Sequence, residues 1–129
     1  MMEIRAFERR DLTQVIRLCE AEGWESYCAD AERTYRALSA TNVICLVAAE
    51  DDRVIGFAQC LSDGAIRAYL ANMVVEASRR GTGIGKMLVN EVLARCDAVY
   101  IDLLSEDAAQ GFYATFPHRT IPGYRIYPR

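Results

Sequence analysis

The segment Val74-Val75-Glu76-Ala77-Ser78-Arg79-Arg80-Gly81-Thr82-Gly83-Ile84-Gly85-Lys86-Met87-Leu88-Val89 limits the folds open to this chain more than any other. It predicts a β-strand, a basic glycine-rich turn and an amphipathic helix in immediate succession. Glycines at 81, 83 and 85 permit a tight bend and keep side chains out of a ligand's way. A helix starting near Ile84 aims its unpaired N–H groups and its positive dipole end at that turn. Together these features predict a seat for a pyrophosphate or a similar anion.

Spacing tests two familiar phosphate loops. A Walker A loop needs glycine where Arg80 stands and Ser or Thr where Met87 stands. A dinucleotide fingerprint counted from Gly81 needs glycine where Lys86 stands, and it belongs in an early βαβ unit. Neither fits. Arg80-x-x-Gly83-x-Gly85 instead resembles the R/Q-x-x-G-x-G/A segment of the GCN5-related N-acetyltransferases, the GNAT family. The resemblance runs from the N-terminal strand through Phe112-Tyr113 and implies that family's acyl-CoA N-acyltransferase fold.

The chain has 129 residues, enough for one domain spanning 1–129 with a single core. Apolar residues make up 52%, as in globular proteins. The longest apolar runs, such as 43–49, fall far short of the roughly 20 residues of a membrane span. No basic-plus-apolar leader opens the chain, so a cytoplasmic protein is expected. A net charge of −3 argues against a nucleic-acid surface and suits a cationic substrate. Five cysteines, at 19, 28, 45, 60 and 96, show no C-x-x-C spacing, and His118 is the one histidine. No metal site is expected. Cys19, Cys45 and Cys96 read as small core residues of a reducing compartment.

Periodicity gives the order β-α-α-β-β-β-α-β-α-β. A strand at Ile4–Phe7 precedes a helix opened by a capping box of Asp11 and Gln14 and stopped by Gly23. A second helix starts near Asp30. Strands at 43–49 and 54–58 flank a turn at 51–53, and Ser62-Asp63-Gly64 turns into the strand 66–75. The helix after the glycine loop reaches about Cys96, with Ile84, Met87, Leu88 and Val92 inward. A strand at 98–104, a helix at 107–116 and an extended tail at 120–127 complete the chain. This order makes an α/β (α+β) fold, with a mixed, mostly antiparallel sheet flanked by helices.

The resemblance implies transfer of an acetyl group from acetyl-CoA to an amine, by direct attack through a tetrahedral intermediate. Amides of Gly81, Thr82, Gly83, Ile84, Gly85 and Lys86 would cradle the pyrophosphate, with charge added by Arg79 or Arg80. The edge at Met73, Val74 and Val75 would pair with pantetheine. Tyr113, in Phe112-Tyr113-Ala114-Thr115-Phe116, would protonate the leaving thiolate or else pack its ring on the sheet. The family's Gly-Phe after this helix is Pro117-His118 here. The asparagine found in many members before that tyrosine is Glu106.

The attacking amine, with a pKa of about 10.4, must lose a proton at roughly 4–5 kcal/mol if unassisted. The central strand offers no carboxylate before Glu76, which leaves a water relay ordered by Tyr69, Asn72 or main-chain carbonyls. On a regular strand these two side chains face opposite sides; a bulge would bring them together. Trp24 and Tyr27 line an acceptor pocket or staple two helices, and Tyr124 and Tyr127 would close its other side.

Amino sugar, antibiotic, polyamine and protein amine all remain open as acceptors, with a small-molecule amine favoured. Apolar strand edges suit a homodimer. Three other functions compete. They are a non-catalytic acyl-CoA-binding or regulatory module, covalent acyl transfer through Cys60, and a nucleotide hydrolase dependent on Lys86.

Overall fold

A computed structural model describes residues 1–128. Five strands, β1 (Met2–Ala6), β2 (Val43–Glu50), β3 (Arg53–Ser62), β4 (Arg67–Val75) and β5 (Tyr100–Asp102), form one sheet in sequence order. The first four pair antiparallel, whereas β5 lies parallel to β4. The mixed, mostly antiparallel sheet is the expected one.

Helices α1 (Leu12–Glu22), α2 (Glu25–Cys28) and α3 (Ala31–Ser39) cover one face. There Val15, Leu18, Cys19 and Leu38 pack with Cys45, Val47, Phe57 and Val74. Helices α4 (Ile84–Arg95) and α5 (Gln110–Tyr113) cover the other, over Leu46, Ile55, Cys60 and Leu70. β2 and β3 are buried along nearly their whole length, which explains their unbroken apolar runs.

Five local expectations need correction. Asp11 and Gln14 form no capping box for α1. The Asp11 carboxylate instead accepts from both Arg5 guanidinium nitrogens at 2.8 and 2.9 Å and from the Glu8 amide at 2.8 Å. The Gln14 carboxamide ties α1 to the β2–β3 turn, accepting from the Val54 amide at 2.8 Å. Met87 is 42% exposed. The buried stripe of α4 drifts from Ile84 and Leu88 towards Val89 and Cys96, which leaves Met87 on the far side.

The connection after Gly23 contains the one-turn helix α2, pinned by the Trp24 ring against Phe57 and Tyr27. α5 is shorter than the expected 107–116, preceded by a 3₁₀ turn at Asp107–Ala109 and followed by Pro117. The described part of the tail, 117–128, forms no strand. Pro122 lacks an N–H to donate, and β5 has only three residues to offer as a partner.

Candidate active site

The β4–β5 ladder stops at Tyr69 and Asp102. From Leu70 to Val75 one edge of β4 therefore has no partner strand among the described residues. Met73, Val74 and Val75 lie on that edge, their side chains packed into the two core clusters. Main-chain groups on such an edge are free to bond an extended ligand.

The strand leads into a 3₁₀ turn at Ala77–Arg79 and then the glycine loop. Gly81 (φ +79°) and Gly83 (φ +92°) are left-handed, and a Cβ on either would project into open space. Both are needed for backbone shape, and the space beside them is clear of protein atoms. Gly83 caps α4 without a side-chain hydrogen bond. The first-turn amides of the helix thus stay available to an anion. At Gly85 a Cβ would be in ordinary contact with Met73 Cε at 3.4 Å and the Phe112 ring at 3.5 Å.

The cations near the loop have protein partners. Arg80 Nε donates to the Val75 carbonyl at 2.9 Å, and its Nη2 donates to Glu22 at 2.7 Å. Arg79 pairs with Glu50. Lys86 Nζ lies over the Phe116 ring, 5.2 Å from its centroid. Arg80 thus ties the loop to β4 and α1, and Arg79 ties it to β2. Thr82 donates its hydroxyl to the Arg79 carbonyl at 2.6 Å, which holds the turn closed.

The β3–β4 register shifts between Gln59 and Cys60, so that Gln59 opposes Asn72 and Cys60 opposes Leu70, leaving Ala71 as the extra residue. This is a bulge of the kind that would bring Tyr69 and Asn72 together. Asn72 opposes Gln59 and Tyr69 opposes Leu61, two positions on one face of β3. Tyr69 and Asn72 therefore share the face covered by α1–α3. Asn72 Nδ2 donates to the Tyr27 hydroxyl and, at 3.2 Å, to Gln59 Oε1. The Tyr27 hydroxyl donates to Gln59 Oε1 as well. The sequence reading missed Gln59, a polar side chain only 4% exposed in an otherwise apolar strand. That mismatch was the available signal.

Tyr113 packs on the α4–α5 side beside Phe112. Burial pushes its hydroxyl pKa up, which keeps the proton on at neutral pH. Its hydroxyl bonds to no described residue and is not orphaned in the interior.

The four acceptor-pocket candidates have different surroundings. Trp24 packs on Phe57 and Tyr27 as a staple. Tyr27 turns its hydroxyl inward. Tyr124 and Tyr127, 86% and 79% exposed, close nothing. Cys60 is fully buried, and burial pushes its thiol up to about 11, which makes it a poor nucleophile. Among the described residues no group of His, Cys, Asp and Glu could hold a metal, and no helix is long and apolar enough to cross a membrane.

A family model described as Acetyltransferase (GNAT) family matches residues 9–116. An uncharacterised N-acetyltransferase of Porphyra purpurea is 25% identical over 109 residues. That match covers 80% of this chain, which spans only 62% of the relative's length. A GNAT-family acetyltransferase of Streptococcus pneumoniae superposes with a TM-score of 0.81 at 26% identity, covering 100% of this chain and 99% of its own. An aminoglycoside acetyltransferase from an uncultured soil metagenomic sample, solved with sisomicin, gives a TM-score of 0.72 at 18% identity, with 98% and 97% covered, and shares the fold. With its unpaired β4 edge, left-handed glycine loop and matched family model, this chain belongs to the acetyltransferase (GNAT) family.

Proposed function

We propose that this chain transfers an acetyl group from acetyl-CoA to a primary amine of a small molecule. One observation carries the reading. The unpaired edge of β4 runs directly into a loop whose Gly81 and Gly83 leave room for a diphosphate at the start of α4. Bound acetyl-CoA supplies an acetyl thioester open to attack by an amine.

The residues divide the remaining work. Amides from Gly81 to Lys86 hold the diphosphate, and main-chain groups at Met73, Val74 and Val75 pair with the pantetheine arm. Arg80 acts as a strut that keeps the loop against Val75 and Glu22. Tyr113 stays protonated and donates to the departing sulfur. Thiolates leave with a conjugate acid near pKa 8.5, so that donation is worth a modest factor. Tyr69 and Asn72, brought to one face by the bulge, meet the amine and order the water that takes its proton. A net charge of −3 favours a cationic acceptor. The sisomicin-bound neighbour, on the same fold, supports an amine-rich small molecule.

Calorimetry with acetyl-CoA, joined to thiol release over a panel of primary amines, tests this reading. Binding with amine-dependent turnover is the expected result. Binding without turnover on any amine would leave an acyl-CoA-binding module in its place. No binding at all would remove the cofactor seat.

A further inference from the structure

The hydrogen bonds around Asn72 run in one direction, and a main-chain carbonyl fixes that direction. The Ala37 carbonyl can only accept, and Gln59 Nε2 donates to it at 3.5 Å. Gln59 Oε1 therefore points to Tyr27 and Asn72. A tyrosine hydroxyl has one proton, and that of Tyr27 goes to Gln59. Its oxygen can then only accept from Asn72, which must present Nδ2. The opposite flip of Asn72 would set Oδ1 against Gln59 Oε1, lone pair against lone pair.

Both N–H groups of Asn72 are thus used, and Oδ1 has no donor among the described residues. Asn72 is half-buried, and no buried polar side-chain atom of the described residues lacks a partner. Its Oδ1 consequently reaches the surface, on the face shared with Tyr69. Thr34 holds the other end of the network, donating to the Tyr27 carbonyl at 2.7 Å. Burial pushes the Tyr27 hydroxyl up to about 12, so it remains a donor throughout the ordinary pH range.

We infer that Gln59 and Tyr27 are positioning residues that lock the Asn72 carboxamide with Oδ1 outward, as the acceptor of an N–H from the incoming amine. The inference rests on the acetyltransferase reading and makes that site selective for N–H donors over anionic oxygens.

The test is a double-mutant cycle on amine kinetics, run with an amino sugar, a polyamine and a lysine amide as probes. Tyr27→Phe and Gln59→Leu should each raise the amine KM by roughly five- to tenfold, the worth of one oriented hydrogen bond. Acetyl-CoA affinity should stay within about twofold. In an Asn72→Ala background neither change should raise KM further, because there is no carboxamide left to aim. An equal rise in that background, or a parallel loss of acetyl-CoA affinity, would mean a packing role and overturn the inference. Should Gln59→Leu fail to fold, Tyr27→Phe, which removes only a hydroxyl, carries the test. A wild-type protein that turns over none of the amines would sink the acetyltransferase reading, and this inference with it. Turnover with additive effects would sink this inference alone.

Discussion

The two faces of the sheet are built on different principles. Among the described residues, the three buried polar side chains, Asp11, Thr34 and Gln59, belong to the α1–α3 side. Each has a directed partner: Asp11 with Arg5 and Glu8, Thr34 with the Tyr27 carbonyl, Gln59 with Tyr27, Asn72 and Ala37. The α4–α5 core is apolar, with Leu88, Val92, Ile84 and the Phe112–Tyr113–Phe116 cluster over β2–β4. Apolar contacts fix where an element sits but say little about the orientation of a side chain. Hydrogen bonds fix orientation and penalise every wrong one. On the proposed reading, main-chain amides bind the cofactor, and for that role position is enough. Side chains that meet an acceptor, as proposed for Tyr69 and Asn72, need orientation too.

Substitutions can break that contrast at chosen points. Gly83→Glu should have the largest effect. It puts a carboxylate and a Cβ where the diphosphate would lie, so acetyl-CoA affinity should fall by at least about a hundredfold, roughly 3 kcal/mol. The left-handed φ adds about 1–2 kcal/mol of strain to the folded state. Unchanged affinity by calorimetry would show that the loop does not hold the cofactor.

Asp11→Asn comes next. The Asp11 side chain is 3% exposed and that of Arg5 18%, so breaking the pair should cost about 2–3 kcal/mol in denaturant unfolding. Burial opposes ionisation of Asp11, yet the Arg5 hydrogen bonds, the Glu8 amide and the Arg5 charge together hold its carboxyl below the usual 3.8. A depressed folded pKa contributes stability that is fully present above the unfolded value. That stability is lost as pH falls through the folded value. The wild type should therefore lose stability below about pH 4 more steeply than Asp11→Asn. Parallel acid limbs would contradict the pairing.

Tyr113→Phe should lower kcat by about tenfold and leave acetyl-CoA affinity unchanged, because the ring packing survives. An equal loss in both would assign Tyr113 to packing. Arg80→Met should have the smallest effect. The Arg80–Glu22 pair is 53% and 24% exposed, so stability should drop by about 0.5 kcal/mol and cofactor affinity by about two- to fivefold. A hundredfold loss of affinity would mean that the guanidinium contacts phosphate after all.

Legibility in the sequence followed the range of the interactions. The long apolar strands, α1, α3, α4 and the glycine loop have local signatures, and the structure places them close to where periodicity did. A bulge between Tyr69 and Asn72 was raised as what could bring both to one face, and the β3–β4 register contains one. The helix α2 was missed because one turn carries no periodicity; the contact of Trp24 with Phe57 decides it. Gln59 was missed because its partners are 32 and 13 residues away in sequence. The tail at 120–127 was read as extended and broken by Pro122-Gly123. Composition carries no information about whether a neighbouring edge will accept a strand, and here none does.

Sequence alone determined the order of the elements, the mixed sheet and the glycine-lined turn at the start of a helix. Those follow from backbone sterics and from apolar spacing within a few residues. Tertiary structure alone decided that the arginines of the loop meet Val75, Glu22 and Glu50, that Tyr27 turns inward, and which way the Asn72 carboxamide faces. Those are choices among partners far apart along the chain, and only the folded arrangement sets the distances that select between them.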